Sequence, residues 1–201
     1  MSVTSPLGFT ASYHIFSIVE SAGTCMAGPF CCKMIAHYPN RGGDEMNRVY
    51  LLQRRLLALI DRQDPQAQRD EPLDFERLHL ASCARVAWLL ALERGVDPEL
   101  AAAAAAMHDI GRIVTGRQSG HAEAGYEPAR AFLKESGLFG DDEIEIIATA
   151  VKNHSSKTVV GTPVEEIVKD ADVIDCYHYG FPFDRPEKEE RYNKWLGSRP
   201  K

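Results

Sequence analysis

An all-α globule of five or six helices is the fold class this sequence predicts. Three observations point there: apolar residues recur at helical spacing from Met46 onward, helix-start and helix-stop residues separate those runs, and no alternating run competes with them. There is no internal repeat, so the helices are expected to pack around one core.

Val49, Leu52, Leu56, Leu59 and Ile60 lie on one helical stripe, with Arg54, Arg55 and Arg62 off it, which predicts a helix from Met46 to about residue 62. The polar stretch Gln63 to Glu71 reads as a linker. After Pro72, the residues Phe75, Leu78, Val86, Leu89 and Leu90 mark a second helix that runs up to Gly95 and carries His79. Asp97, Pro98 and Glu99 supply an N-cap, a first-turn proline and a dipole-matched acid for a third helix, through six alanines to near Gly111. A further helix is expected over His121 to Ser136, stopped by Gly137, and another from Asp141 or Asp142 with Ile144, Ile147 and Val151 on one face, which His154 continues. Thr162, Pro163 and Glu165 make a capping-box start for a helix through Val168, Ala171 and Ile174 to about Tyr179.

Domain organisation follows from the same pattern. Residues 1–45 show neither helical nor strand periodicity and read as an extension outside the catalytic domain, with Met46 as an alternative start. Residues 46–182 form the helical domain, and residues 183–201 read as a charged, proline-bearing tail.

The 201 residues carry 23 Lys+Arg against 29 Asp+Glu, a formal net charge of -6, with 44% hydrophobic residues. That is ordinary globular composition. No apolar run approaches the ~18 residues of a membrane span. The first basic residue is Lys33, which leaves no positively charged leader, and no basic run marks a general nucleic-acid surface. A cytoplasmic protein without membrane or general nucleic-acid partners is the expectation. Five cysteines at irregular spacing read as free thiols, and Cys25, Cys31, Cys32 and His37 lack the paired spacing of a zinc site.

His79, His108, His121, His154 and His178 lie in the last two-thirds of the chain, four of them at helix ends or on apolar faces, which predicts a buried polar site. The His108-Asp109 pair joins an imidazole and a carboxylate, donors suited to Mn, Fe, Co, Ni or Zn. On helical geometry Asp172, one turn after Val168, is the candidate acid of the last helix. Asp170 and Asp175 read as solvated or helix-stabilising charges. Arg112 and Lys157, each three residues beyond a histidine or the His-Asp pair, are candidate contacts from the rim for an anionic substrate, a phosphate on the resemblance given next. Ser155 and Ser156 beside His154 lack a third group and do not form a nucleophile triad. No phosphate-binding or dinucleotide glycine loop is present.

AAAAAAMHDIGR at 101–112, preceded by His79 and followed by KDADVID at 169–175, resembles the HD-domain metal-dependent phosphohydrolase superfamily. The resemblance extends through GHAEAGYEPARAFL at 120–133 and VKNHSSK at 151–157, and covers about residues 74–180. It implies an HD-type helical domain with His79, His108, Asp109 and Asp172 as metal ligands, the alanine-aspartate step also selecting Asp172. His121 and His154 become second-metal ligands or phosphate contacts, so one or two divalent transition-metal ions are implied, with Asp109 and His154 as candidate catalytic residues. The implied reaction is hydrolysis of a phosphate ester or anhydride of a nucleotide or other small phosphorylated metabolite, by an oligomer or a monomer. Nucleotidase-like relatives place a carboxylate where Arg112 stands, which argues against a simple deoxynucleoside monophosphatase. A di-iron oxygenase and a non-catalytic binding module are the alternatives.

Overall fold

The computed structural model describes residues 47–198, so the expectations for residues 1–45 and for the cysteine group at 25–32 lie outside the described residues. The all-α class holds. Among the described residues nine helices follow one another: α1 Arg48–Asp61, α2 Leu73–Arg94, α3 Pro98–Met107, α4 Ile110–Thr115, α5 His121–Ala124, α6 Tyr126–Ser136, α7 Asp141–Asn153, α8 Pro163–His178 and α9 Pro186–Gly197. Among the described residues none is long and apolar enough to cross a membrane.

The alanine helix α3 is the axis of the fold. Ala101 to Met107 are all buried, and α2, α7, α8 and α1 pack around it. A helix apolar on every side belongs at the centre of a core. Its start is the expected one, with the Asp97 carboxylate accepting from the backbone N–H groups of Glu99 (2.8 Å) and Leu100 (3.1 Å). Asn47 caps α1 in the same way. Arg48 then ties three helices together through ion pairs to Glu99 (2.7 Å) and Glu143 (2.9 Å).

The second helix buries a different face from the one expected. Leu78 and Leu89 are 57% and 52% exposed, while His79, Cys83, Ala84, Ala87, Leu90 and Ala91 face inward. Small residues let α2 approach α3 closely, so the contact runs along the alanines and the large leucines on the flanks stay wet. The stripe of α1 is nearer to expectation, with Val49, Leu52, Leu56 and Ile60 buried.

Three boundaries are corrected. The alanine helix ends at Met107 rather than near Gly111, because the chain turns at His108 and Asp109 before α4 begins. The helix expected over His121 to Ser136 breaks at Gly125 into α5 and α6, and α6 stops at Gly137 in the left-handed region (φ 66°), as foreseen. The segment read as a charged tail carries α9, which packs on α8 through Tyr192 and through Arg191, ion-paired to Asp170 (2.7 Å) and Glu166 (2.9 Å).

Candidate metal centre

His79 from α2, the His108-Asp109 turn after α3, and Asp172 from α8 converge in the interior. His79 Nε2 lies 3.1 Å from His108 Nε2, 3.5 Å from Asp109 Oδ2 and 3.4 Å from Asp172 Oδ1. His108 Nε2 lies 3.1 Å from Asp109 Oδ2 and 3.7 Å from Asp172 Oδ1. The other oxygen of Asp109 faces a second pair: Oδ1 is 3.0 Å from His121 Nε2 and 3.6 Å from His154 Nε2, and those two nitrogens are 2.9 Å apart. Six residues from five segments thus form two donor groups that share the carboxylate of Asp109. His178 is not among them; it lies against Tyr177, Tyr192 and Trp195.

The turn at His108 and Asp109 depends on Gly111. A Cβ there would stand 2.0 Å from the His121 carbonyl and 2.7 Å from the Gly125 backbone nitrogen. With hydrogen in its place, α4 crosses the α5–α6 junction in backbone contact, which brings His121 to the far side of Asp109.

Each imidazole is oriented from behind. The Nδ1–H of His108 donates to the Ala105 carbonyl (2.7 Å), that of His121 to the Gln118 carbonyl (2.6 Å) and that of His154 to the Val151 carbonyl (2.7 Å). That of His79 donates to Asp175 Oδ2 (2.7 Å). These acceptors cannot donate, so Nδ1 carries the proton and every Nε2 lone pair is left to the centre. Four lone pairs and two carboxylates at these separations repel one another unless positive charge lies among them. This donor set fits one or two borderline divalent cations. Without a cation the centre draws a proton onto His108 in its place: burial acts to neutralise His108, yet Asp109 and Asp172 hold its pKa at about 10, whereas burial takes His154 down to about 4. Burial pushes both carboxyls up, but Asp109 is held well below the usual range by His108 and Arg112, and Asp172 by Lys157 and the two imidazoles.

The carboxylates too are held from behind. Lys157 Nζ donates to Asp172 Oδ2 (2.6 Å), and Arg112 pairs with Asp109 Oδ2 and with Glu76 (2.7 Å). Both cations were expected on the rim. Lys157 and Arg112 are instead only 4% and 6% exposed, because each finds its partner in a buried carboxylate of the centre.

Three contributors escaped sequence reasoning. Asp175, read as peripheral, orients His79; it lies three residues after Asp172, and that spacing on a helix already placed the two side by side. Glu76 anchors Arg112, and it too is three residues from a ligand, His79. Cys176 stays a thiol, since burial and the neighbouring Asp172 push its pKa up, and its Sγ donates to Asp172 Oδ1 (3.4 Å).

A family model for the HD domain matches residues 78–177, which contain every one of the six donors. The chain belongs to the HD-domain family. Among curated proteins, HD-domain similarity is found to Ribonuclease Y. The Chlorobium phaeobacteroides protein is 34% identical over 102 residues, covering 51% of this chain and 18% of the relative. That from Thermobifida fusca is 32% identical over 119 residues, 59% and 21% of the respective chains, and that from Cutibacterium acnes is 36% identical over 104 residues, 51% and 18%. The chain thus spans about a fifth of the length of these relatives. The crystal structure of a predicted HD superfamily hydrolase from an uncultured Thermotogales bacterium superposes with a TM-score of 0.50 at 22% identity, over 74% of this chain and 87% of that one, and shares its fold.

Proposed function

We propose that this HD domain is a metal-dependent phosphohydrolase that cleaves a phosphate ester, with RNA or a nucleotide as its substrate. The observation that carries the reading is Asp109, whose two oxygens face two separate imidazole pairs, the donor arrangement of a site for two neighbouring cations. His79, His108, Asp109 and Asp172 would hold the first ion, and Asp109, His121 and His154 the second. Divalent cations bound there would supply Lewis acidity toward a phosphoryl oxygen and lower the pKa of water.

The chain's own part is to orient and to hold charge. His154 serves as a ligand in this reading, because its Nδ1 is committed to Val151 and its Nε2 to the centre. Arg112 and Lys157 act as positioning residues: Arg112 holds Asp109 Oδ2 on the side of His79 and His108, and Lys157 takes Asp172 Oδ2 so that Oδ1 faces the imidazoles. A cavity of ≈ 370 Å³ opens on the His121 side, lined by Gln118, Lys152, Ser155, Arg185 and Lys188 among others. Ser155 Oγ stands 3.5 Å from His121 Nε2 and 3.4 Å from His154 Nε2, placed to donate to a phosphate oxygen beside the donors. These cations favour hydrolysis of an anionic ester over the oxygenase alternative. Water adds its oxygen to phosphorus, the ester P–O bond breaks, and the leaving oxygen takes a proton.

Similarity to Ribonuclease Y weighs against the expectation of no nucleic-acid partner and moves the favoured substrate from a small metabolite toward RNA. The test is to load the purified chain with Mn, Co, Ni, Mg or Fe and measure cleavage of short RNA, nucleotides and non-nucleotide phosphate esters, with and without chelator. Chelator-sensitive hydrolysis is expected. Oxygen consumption without phosphate ester cleavage would transfer the site to the oxygenase class.

A further inference from the structure

The loop between α8 and α9, residues 179–185, touches immediate neighbours of both donor groups. At one end Phe75 stacks on the ring of His79 (5.1 Å, 12°), and Phe181 leans on Phe75 at 5.0 Å. Tyr179 meets the same Phe75 edge-on at 6.0 Å, and its hydroxyl donates to Ser82 Oγ (3.2 Å), which donates in turn to Asp175, the partner of His79. At the other end Arg185 donates to the Ser155 carbonyl (3.3 Å) and lines the cavity beside His121. Arg185 stands four positions after Phe181, at most about 14 Å of chain.

This rim offers two chemistries side by side. Phe181 and Tyr179 keep 39% and 42% of their surface in solvent, although aromatic rings of this size are commonly more enclosed. The ion-pair partners of Lys152, Arg185 and Lys188 are Glu123 (3.2 Å), Glu187 (3.4 Å) and Asp184 (2.8 Å), partly exposed carboxylates whose pairs are weak, so a phosphate draws these cations readily. Building on the phosphohydrolase reading, we infer that the 179–185 loop selects nucleotidyl substrates, with Phe181 as the stacking face for a base and Arg185 as the contact for the phosphate that enters beside His121. A sugar phosphate without a base fills only the cationic end. Phe181 and Arg185 both lie outside the matched residues 78–177.

The experiment compares adenosine 5′-monophosphate with ribose 5-phosphate, which differ by the base alone, in calorimetric titrations of manganese-loaded and metal-free protein. The nucleotide is expected to bind about tenfold more tightly, the contribution of one stacked base. Phe181→Leu should abolish that preference while its melting temperature stays near wild type, and Phe181→Tyr should keep it. Arg185→Ala should weaken both ligands alike. Equal affinity of the two ligands for wild type, an undiminished preference in Phe181→Leu, or unchanged binding by Arg185→Ala would overturn the inference. Failure of the hydrolase reading shows elsewhere, as absence of ester cleavage by the manganese-loaded protein, and leaves a base preference in binding standing.

Discussion

Lys157 Nζ sits 2.6 Å from Asp172 Oδ2, while Asp172 Oδ1 points the other way, 3.4 Å from His79 Nε2. One carboxylate therefore has one oxygen committed to a buried ammonium and the other kept for the donor group. Lys157→Met leaves the Asp172 carboxylate without its cation in a dry site, and in metal-free protein this should cost about 3–5 kcal/mol of stability in urea unfolding. Added manganese should restore a larger share of stability in the variant than it adds to wild type, because the ion supplies the missing positive charge.

Asp109 touches both imidazole pairs, whereas His121 touches one. Asp109→Ala should reduce metal content to near zero, and His121→Ala should halve it from two ions to one. Elemental analysis of protein dialysed against a fixed free-metal buffer reads this directly. Equal losses in the two variants would mean that the groups do not bind separately.

Asp175 acts on the centre through His79. Asp175→Asn weakens the hydrogen bond that holds the His79 ring and its tautomer, and the expected result is a roughly 10–100-fold lower metal affinity with the fold retained. Competition against a chromophoric chelator measures it, and unchanged circular dichroism separates the effect from unfolding.

Gly111 is required by contact distance. Gly111→Ala places a methyl 2.0 Å from the His121 carbonyl oxygen, a clash of the new Cβ with backbone that no side-chain rotation relieves. A stability loss of about 1–3 kcal/mol is expected, together with loss of the second ion, since α5 must move away.

Glu166 sets an acid limit on stability. Burial acts to raise its pKa, but the Gly161 N–H, Lys169 and Arg191 outweigh it and bring the group down to about 2 from its ordinary 4.5. A depressed carboxyl stabilises the fold fully above about pH 4.5, and that contribution is lost as pH falls toward 2. Thermal melts across this window should show a shallower decline for Glu166→Gln than for wild type, from a lower starting value.

The amino-acid order by itself determined the helical class and most helix starts, because caps and periodicity are local signals, and its resemblance to the HD superfamily named His79, His108, Asp109, His121, His154 and Asp172, the six side chains that the fold brings together. It also marked Gly137 as a stop. What it left open depends on which surfaces meet. The inward face of α2 follows its alanines and leaves Leu78 and Leu89 out, since close approach to α3 outweighs the burial of larger side chains that can remain wet. The break at Gly125 is set by the crossing with Gly111, two residues fourteen apart whose contact no local pattern reports. Whether a charged side chain is a rim contact or a buried support was likewise decided in three dimensions: Arg112, Lys157 and Asp175 look like ordinary surface charges in the sequence, and the fold places each against an opposite partner in the interior, where a charge persists only when paired.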